Sequence, residues 1–230
     1  MIVRSGLLRK KPDWSTEDFR RHWRERHGPL AARLPGLLRY EQNHVVDSQQ
    51  RGFTYPRGPE ALDGFSMLSF ESEEAMRAAM ATPDGQALIA DENHFIGNLR
   101  IVTIDQLEVI PVDPSRPLLK RMSLLRRGPD VSPETFRQEW RVEHAHLVKR
   151  VQGVRGYRQN LINGRQVPKG VNVGYEDLPI DGIVELWFDD TDSINAAFSS
   201  PQGLTLMSHA REFIAEISTF LVDCHTVVGG

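Results

Sequence analysis

The sequence predicts an α+β fold of two ferredoxin-like βαββαβ units, packed sheet to sheet as an intrachain pseudo-dimeric α+β barrel. Three observations point there. The 230-residue chain repeats itself: WRERHGPLAARLPGLLRYEQN (Trp23–Asn43) returns as WRVEHAHLVKRVQGVRGYRQN (Trp140–Asn160), with 9 of 21 positions identical. Each copy orders its apolar segments as strand, helix, strand, strand, helix, strand. That order builds a four-stranded antiparallel sheet with helices on one face and nothing on the other, and a tandem copy supplies the missing cover.

The register holds across most of each half. LLRKKPDWSTEDFR (Leu7–Arg20) matches LLRRGPDVSPETFR (Leu124–Arg137) at a shift of 117. One added residue then moves the shift to 118, so Asp63-Gly64-Phe65 meets Asp181-Gly182-Ile183, and Thr82-Pro83-Asp84-Gly85 meets Ser200-Pro201-Gln202-Gly203. Between the halves PVDPSRP (Pro111–Pro117) holds three prolines, which continue neither a central strand nor a helix. The units are therefore expected at residues 1–112 and 118–230, with 113–117 as linker.

Taken in order, residues 2–9 and 119–126 are short apolar runs that read as first strands. Ser15 and Ser132 follow as N-caps, with acidic residues in the first turn and Pro133 at a permissive first helical position. Phe136, Trp140, His144, Leu147 and Val151 fall within about 80° on a helical wheel and mark a buried face. Phe19, Trp23, His27, Leu30 and Leu34 hold the same places in the first unit. Gly36 and Gly153 stop these helices. LLRYEQNHVV and VRGYRQNLI read as second strands, and polar loops at roughly 48–62 and 163–180 precede the third strands GFSMLSF and GIVELWF. The second helical region breaks at Pro83 and Pro201, and IVTIDQLEVI and TFLVDCHTVV close the units.

Composition narrows the function classes. With 40% hydrophobic and 26% charged residues and a net charge of −3, the chain has no global attraction for nucleic acid or an anionic membrane. Basic residues such as Arg20, Arg21, Arg24 and Arg26 alternate with acidic ones, as on a solvated helix face. The single cysteine, Cys224, forms no internal disulfide and reads as packing in the final strand. The N-terminus lacks the apolar core and cleavage site of a secretory leader, and no run matches a membrane span. A soluble cytoplasmic protein is expected.

The residues with chemistry cluster in the repeated segment. His27 and His144 lie on the apolar side of their helices, where an imidazole serves either as a buried structural group or as a general acid/base. Asp91 is a candidate to orient His27 and stabilise its imidazolium. Tyr40, Gln42 and His44 alternate along one strand face, matched by Tyr157 and Gln159. That face lines the barrel interior as a ligand site, or it packs on the helices while Glu41, Asn43, Arg158 and Asn160 face the other sheet. Periodicity does not choose. Tyr40 is the candidate that would offer a phenol to a substrate oxygen. Trp23, Gln42, His44, His144, Tyr157 and His209 are the candidate substrate contacts. His144 and His146 diverge on a helix, and with His209 they do not make a metal set, so no metal is expected. No axial haem ligand stands out, and phosphate-binding, dinucleotide and Gly-x-Ser-x-Gly signatures are lacking.

Trp23-x3-His27-Gly28-Pro29-Leu30, Arg39-Tyr40, Asp63-Gly64 and Asp91-Glu92-x2-Phe95 together resemble the EthD family of the dimeric α+β barrel superfamily. The resemblance covers both halves, as in a tandem EthD-domain protein. It implies a family named for involvement in ethyl tert-butyl ether degradation, with fungal relatives that are cofactor-free decarboxylases and dehydratases of aromatic polyketides. The wider superfamily includes isomerases, cyclases, monooxygenases and haem-handling proteins, so the fold leaves the reaction open. In the second unit HGPL becomes His144-Ala145-His146-Leu147 and Asp91-Glu92 becomes His209-Ala210, so the first unit alone keeps both the His and the acid. The leading expectation is a cofactor-independent lyase or isomerase that moves protons on a small aromatic or apolar substrate held in the barrel cavity, with His27, Asp91 and Tyr40 as its catalytic residues. The alternatives are a non-catalytic hydrophobic-ligand-binding or accessory protein, and a haem- or oxygen-dependent member of the superfamily. Neither nucleic acid nor membrane is an expected partner. A chain that completes its own barrel is expected as a monomer, or as a homodimer through an outer surface.

Overall fold

In the computed structural model, which describes residues 1–229, each unit opens on a buried strand, β1 (Ile2–Lys10) and β5 (Leu119–Arg127). Gly230, at the end of the expected second unit, lies outside the described residues. Strand alternation sends Val3 and Leu7 into the barrel, while Arg4 and Leu8 point to the helices. In β5 the same alternation puts Met122 and Leu124 inside and Arg121 and Leu125 on the helix side.

The first helical segment runs α1 (Thr16–His22), a π-helical turn (Trp23–His27) and α2 (Gly28–Ala31). The second copies it as α5 (Pro133–Gln138), a π-helical turn (Glu139–His144) and α6 (Ala145–Val148). Ser15 and Ser132 cap them, each accepting a backbone N–H three residues on at 3.0 Å. The regular helix that the apolar spacing predicts is thus interrupted in both copies at the Trp-to-His step. A widened turn keeps Trp23 and His27 on the sheet side together, and both are buried.

Strands β2 (Leu37–Asp47) and β3 (Gly64–Phe70) follow, then α3 (Glu73–Ala81), α4 (Pro83–Phe95) and β4 (Ile96–Ile110). Their counterparts are β6 (Gly156–Gln166), β7 (Gly182–Phe188), α7 (Thr191–Ser199), α8 (Pro201–Phe213) and β8 (Ile214–Val228). The repeated Asp-Gly before the third strand has a double purpose. Asp63 and Asp181 accept the backbone N–H of Lys10 and Arg127 at 2.9 and 2.8 Å, fixing the end of the first strand. Gly64 makes room for the Trp23 ring, which would lie 2.3 Å from a Cβ there, and Gly182 does the same for Trp140 at 2.5 Å.

The eight strands form one closed barrel in the order β1-β3-β2-β8-β5-β7-β6-β4. β4 and β8 are longer than the sequence suggests, because exposed Gly97 and Asn98 mask the apolar pattern where β4 begins. Their first halves pair within their own unit and their second halves with the other, β4 on β6 and β8 on β2. No helix among the described residues is long and apolar enough to cross a membrane.

The barrel interior is filled rather than hollow, contrary to the expected ligand cavity. Phe65, Met67, Met122 and Phe220 pack at its centre. At one seam Lys120 forms an ion pair with Glu185 at 2.7 Å and a hydrogen bond to Glu41 at 3.3 Å, joining the two units. Against the upward pull of burial, Lys120 and then Arg39 hold Glu41 down to about 2, so it is a carboxylate. Lys120→Met strands two buried carboxylates and is expected to cost about 3–5 kcal/mol. Urea unfolding should show that loss, and combining it with Glu41→Gln and Glu185→Gln should restore much of it.

Candidate functional site

Outside the barrel, between the first sheet and its helices, α1, the π-helical turn and α4 bring His22, His27 and Asp91 together. Asp91 accepts hydrogen bonds from His27 Nδ1 at 2.8 Å and from His22 Nε2 at 2.9 Å. Trp14 packs edge-on against His22, and Phe95 lies under His22 and His27. Burial pulls the Asp91 carboxyl upward, but the bonds from His27 and then His22 outweigh it and hold the group below its ordinary range. An ionised Asp91 only accepts, so both imidazoles must present N–H to it. That assignment leaves His27 Nε2 as the nitrogen able to take a proton.

His27 lines a cavity of about 10 Å3 together with Arg4, Trp23, Tyr40, Ser66 and Glu92. Tyr40, Gln42 and His44 face these helices, and Glu41 and Asn43 face inward, which decides between the two orientations that periodicity leaves open. The Tyr40 hydroxyl accepts from Trp23 Nε1 at 2.8 Å and from Gln42 Nε2 at 3.3 Å. With both lone pairs engaged, its own proton is free to be donated into the cavity. Burial pushes this phenol above its usual range, so it stays protonated.

The remaining expected contacts divide. Trp23 is cavity wall and core at once. Gln42 spends its amide on the Trp23 carbonyl at 2.7 Å, inside the π-helical turn, and does not line the cavity. His44 lies across the Trp23 ring at 4.4 Å and bonds Gln42 at 3.1 Å, so it too stands behind the cavity wall. In the second unit Tyr157 accepts from Gln159 at 2.8 Å, and His144 faces His209 through Nδ1 atoms 3.3 Å apart. His209 turns its other nitrogen to Glu139 at 3.1 Å. With no carboxylate on its Nδ1, His144 has lost the first unit's pairing. No group of three or more His, Cys, Asp or Glu among the described residues is placed to hold a metal ion.

Sequence reading missed Arg4 and Arg121. Each is buried at the cavity of its own unit, and they stand in register at the shift of 117, the signal that would have found them. It also missed that each long loop crosses to the other unit. Arg51, Phe53 and Tyr55 of the first loop pack on the second unit's cavity and core, and Lys169 of the second loop pairs with Glu92 in the first.

A model of the EthD domain matches residues 11–98 and 128–216. The chain belongs to the EthD family. Both EthD units lie in one barrel, and solved structures share that architecture at low identity. An anthrone oxidase-like protein superposes with a TM-score of 0.62 at 12% identity, covering 98% of this chain and 92% of its own. A protein of Lactobacillus acidophilus NCFM, provisionally assigned as a monooxygenase, does so at 0.61 and 10%, covering 100% and 96%. A dye-decolorizing peroxidase from Bacteroides thetaiotaomicron VPI-5482 reaches 0.54 at 6%, covering 96% and 92%. At these identities the likeness is one of fold. No curated protein matches the chain.

The two EthD units share one acid sensitivity. Burial, then neighbouring His225, lowers His44 to about 3, and burial, then His209, does the same for His144. Both side chains are neutral when folded but titrate near 6.5 when unfolded. Their contribution is full above the unfolded pKa and is lost as pH falls from about 6.5 toward 3, because the unfolded chain gains protons that the folded one refuses. Thermal melts should therefore fall across that window, and His44→Phe should flatten the slope relative to wild type.

Proposed function

We propose that the first EthD unit is a cofactor-independent acid/base site that moves a proton on a small aromatic or apolar substrate, in a lyase or isomerase step. The observation that supports it most is the Asp91–His27 pair at the wall of a cavity into which Tyr40 can donate. His27 Nε2 takes a proton from a carbon beside a carbonyl or phenolic centre. Charge then builds on the substrate oxygen, where the Tyr40 O–H donates to it and the nearby Arg4 guanidinium opposes the negative charge. Asp91 fixes the His27 tautomer and stabilises the imidazolium that forms. Return of the proton to a different atom gives an isomerisation, and departure of a leaving group gives a lyase reaction.

The cavity holds about one water as it stands. Substrate entry therefore requires the layer above it to open, and Lys169 on Glu92 is a contact across the two units that must yield or rearrange. The active site lies in the first unit, because the second has His209 and Ala210 where the first has Asp91 and Glu92.

Deuterium uptake by a panel of enolisable aromatic ketones in D2O, followed by NMR, tests the proton transfer without knowledge of the natural substrate. His27→Gln is expected to reduce enzyme-dependent exchange by about 10²–10⁴-fold, and Asp91→Asn to shift its pH profile. Tyr40→Phe should slow exchange while leaving ketone binding measurable. A wild-type protein that binds ketones without exchanging them would be a carrier, and the catalytic reading would fall.

A further inference from the structure

Arg121 is buried without a counter-ion. Its side chain is 2% exposed, and no carboxylate among the described residues pairs with it. One of its five N–H donors goes to the Arg51 carbonyl at 3.2 Å, and the buried Nε has no partner. The guanidinium lies over the rings of Phe53 and Phe198, 4.5 and 4.9 Å from their centres. Burial brings it down to about 9, which leaves it cationic at neutral pH. An isolated charge in such a place costs several kcal/mol.

The first unit shows what is missing. Arg4, the counterpart of Arg121, has Glu92 near it, and that carboxylate works against the effect of burial on the guanidinium. At the position of Glu92 the second unit has Ala210, which lines the space around Arg121. The exchange removes the negative charge and also the side chain that filled the volume. The second cavity accordingly measures about 40 Å3 against about 10 Å3 in the first. Its walls are otherwise mostly apolar: Val148, Leu186, Phe198, Leu206, Met207 and Ile217. The two histidines alongside add no negative charge, and the Tyr157 hydroxyl, accepting from Gln159, has a proton to give.

We propose that the second cavity binds a small aromatic or apolar monocarboxylate, whose carboxylate pairs with Arg121 and whose body lies against Phe198, Leu206 and Met207. One uncompensated cation in an apolar chamber matches one negative charge, and a phosphate dianion would bury a second charge unmet. A carboxylate also fits the two-donor edge of a guanidinium. At about 40 Å3 the closed space holds two or three waters. Admission of a ring therefore requires displacement of Met207, a flexible thioether, and of the Phe53 loop that forms the outer wall. The site is independent of proton transfer at His27, and either can fail without the other.

The test is thermal unfolding of the full chain in sodium benzoate, with benzamide as the neutral isostere and sodium chloride at matched ionic strength. Benzoate should raise the midpoint saturably by a few degrees, benzamide and chloride should not, and His27→Gln should keep the response. Arg121→Met, which replaces an unpaired charge by an apolar chain, should fold with an unliganded midpoint no lower than wild type and lose the response. Crystals grown with 4-bromobenzoate should show the bromine anomalous peak among Phe198, Leu206 and Met207, which decides the matter even where a variant fails to fold. Absence of any benzoate effect, an equal effect of benzamide, a response that survives in Arg121→Met, or bromine elsewhere would overturn the proposal.

Discussion

A four-stranded antiparallel sheet of one βαββαβ unit has two unpaired edges and one uncovered face, and everything else in this protein follows from how both are closed. Each unit's last strand is long enough to leave its own sheet and pair with the other unit, β4 on β6 and β8 on β2. That arrangement removes every edge, the most complete answer to the exposure of unpaired backbone groups. It also turns the uncovered faces inward, where apolar side chains and the Glu41–Lys120–Glu185 trio fill the interior. With the interior filled, the cavities lie on the opposite faces of the sheets, beneath the helices.

The same closure makes neither cavity the property of one unit. Loops that leave one half come to rest on the other, so Phe53 walls the second cavity and Lys169 reaches the first. Residues that appear scattered in the sequence, such as Arg51 and Arg121, meet because the seam brings the loop between β2 and β3 against the opposite unit. Duplication in one chain fixes this meeting at an intramolecular cost, independent of protein concentration.

Much of this was legible in the sequence and the rest was hidden for identifiable reasons. The repeat itself, the caps at Ser15 and Ser132 and the breaks at Pro83 and Pro201 all rest on local rules that the structure follows. The pairing of His27 with Asp91 came from motif and resemblance, and the geometry brings the two within 2.8 Å. His22, which also bonds Asp91, was overlooked because it lies among the basic residues of a helix face that reads as solvated. The orientation of Tyr40, Gln42 and His44 was undecidable because a strand buried on both faces shows no polar-apolar alternation to read. The π-helical turn escaped for a related reason: a helical wheel presumes one period throughout, and the insertion preserves the apolar residues while changing their angle. Arg4 and Arg121 were passed over because an arginine in an apolar first strand looks like an edge charge, although its recurrence at the repeat shift argued otherwise.

The two cavities began as copies, so their differences isolate what each can do. Both keep a tyrosine at the second strand, a histidine at the end of the π-helical turn and an arginine on the first strand. Their charged groups part at two adjacent positions of the last helix, Asp91-Glu92 against His209-Ala210. In the first unit Asp91 supplies a carboxylate to the histidine, and Glu92 lies near the arginine while pairing with Lys169 of the other unit. His209 and Ala210 in the second supply neither. A neutral histidine tolerates that loss, since burial keeps His144 uncharged. An arginine does not shed its proton, so Arg121 remains a cation that the protein itself leaves unanswered. The first cavity thus has a carboxylate beside its arginine, and the second has an alanine in that place.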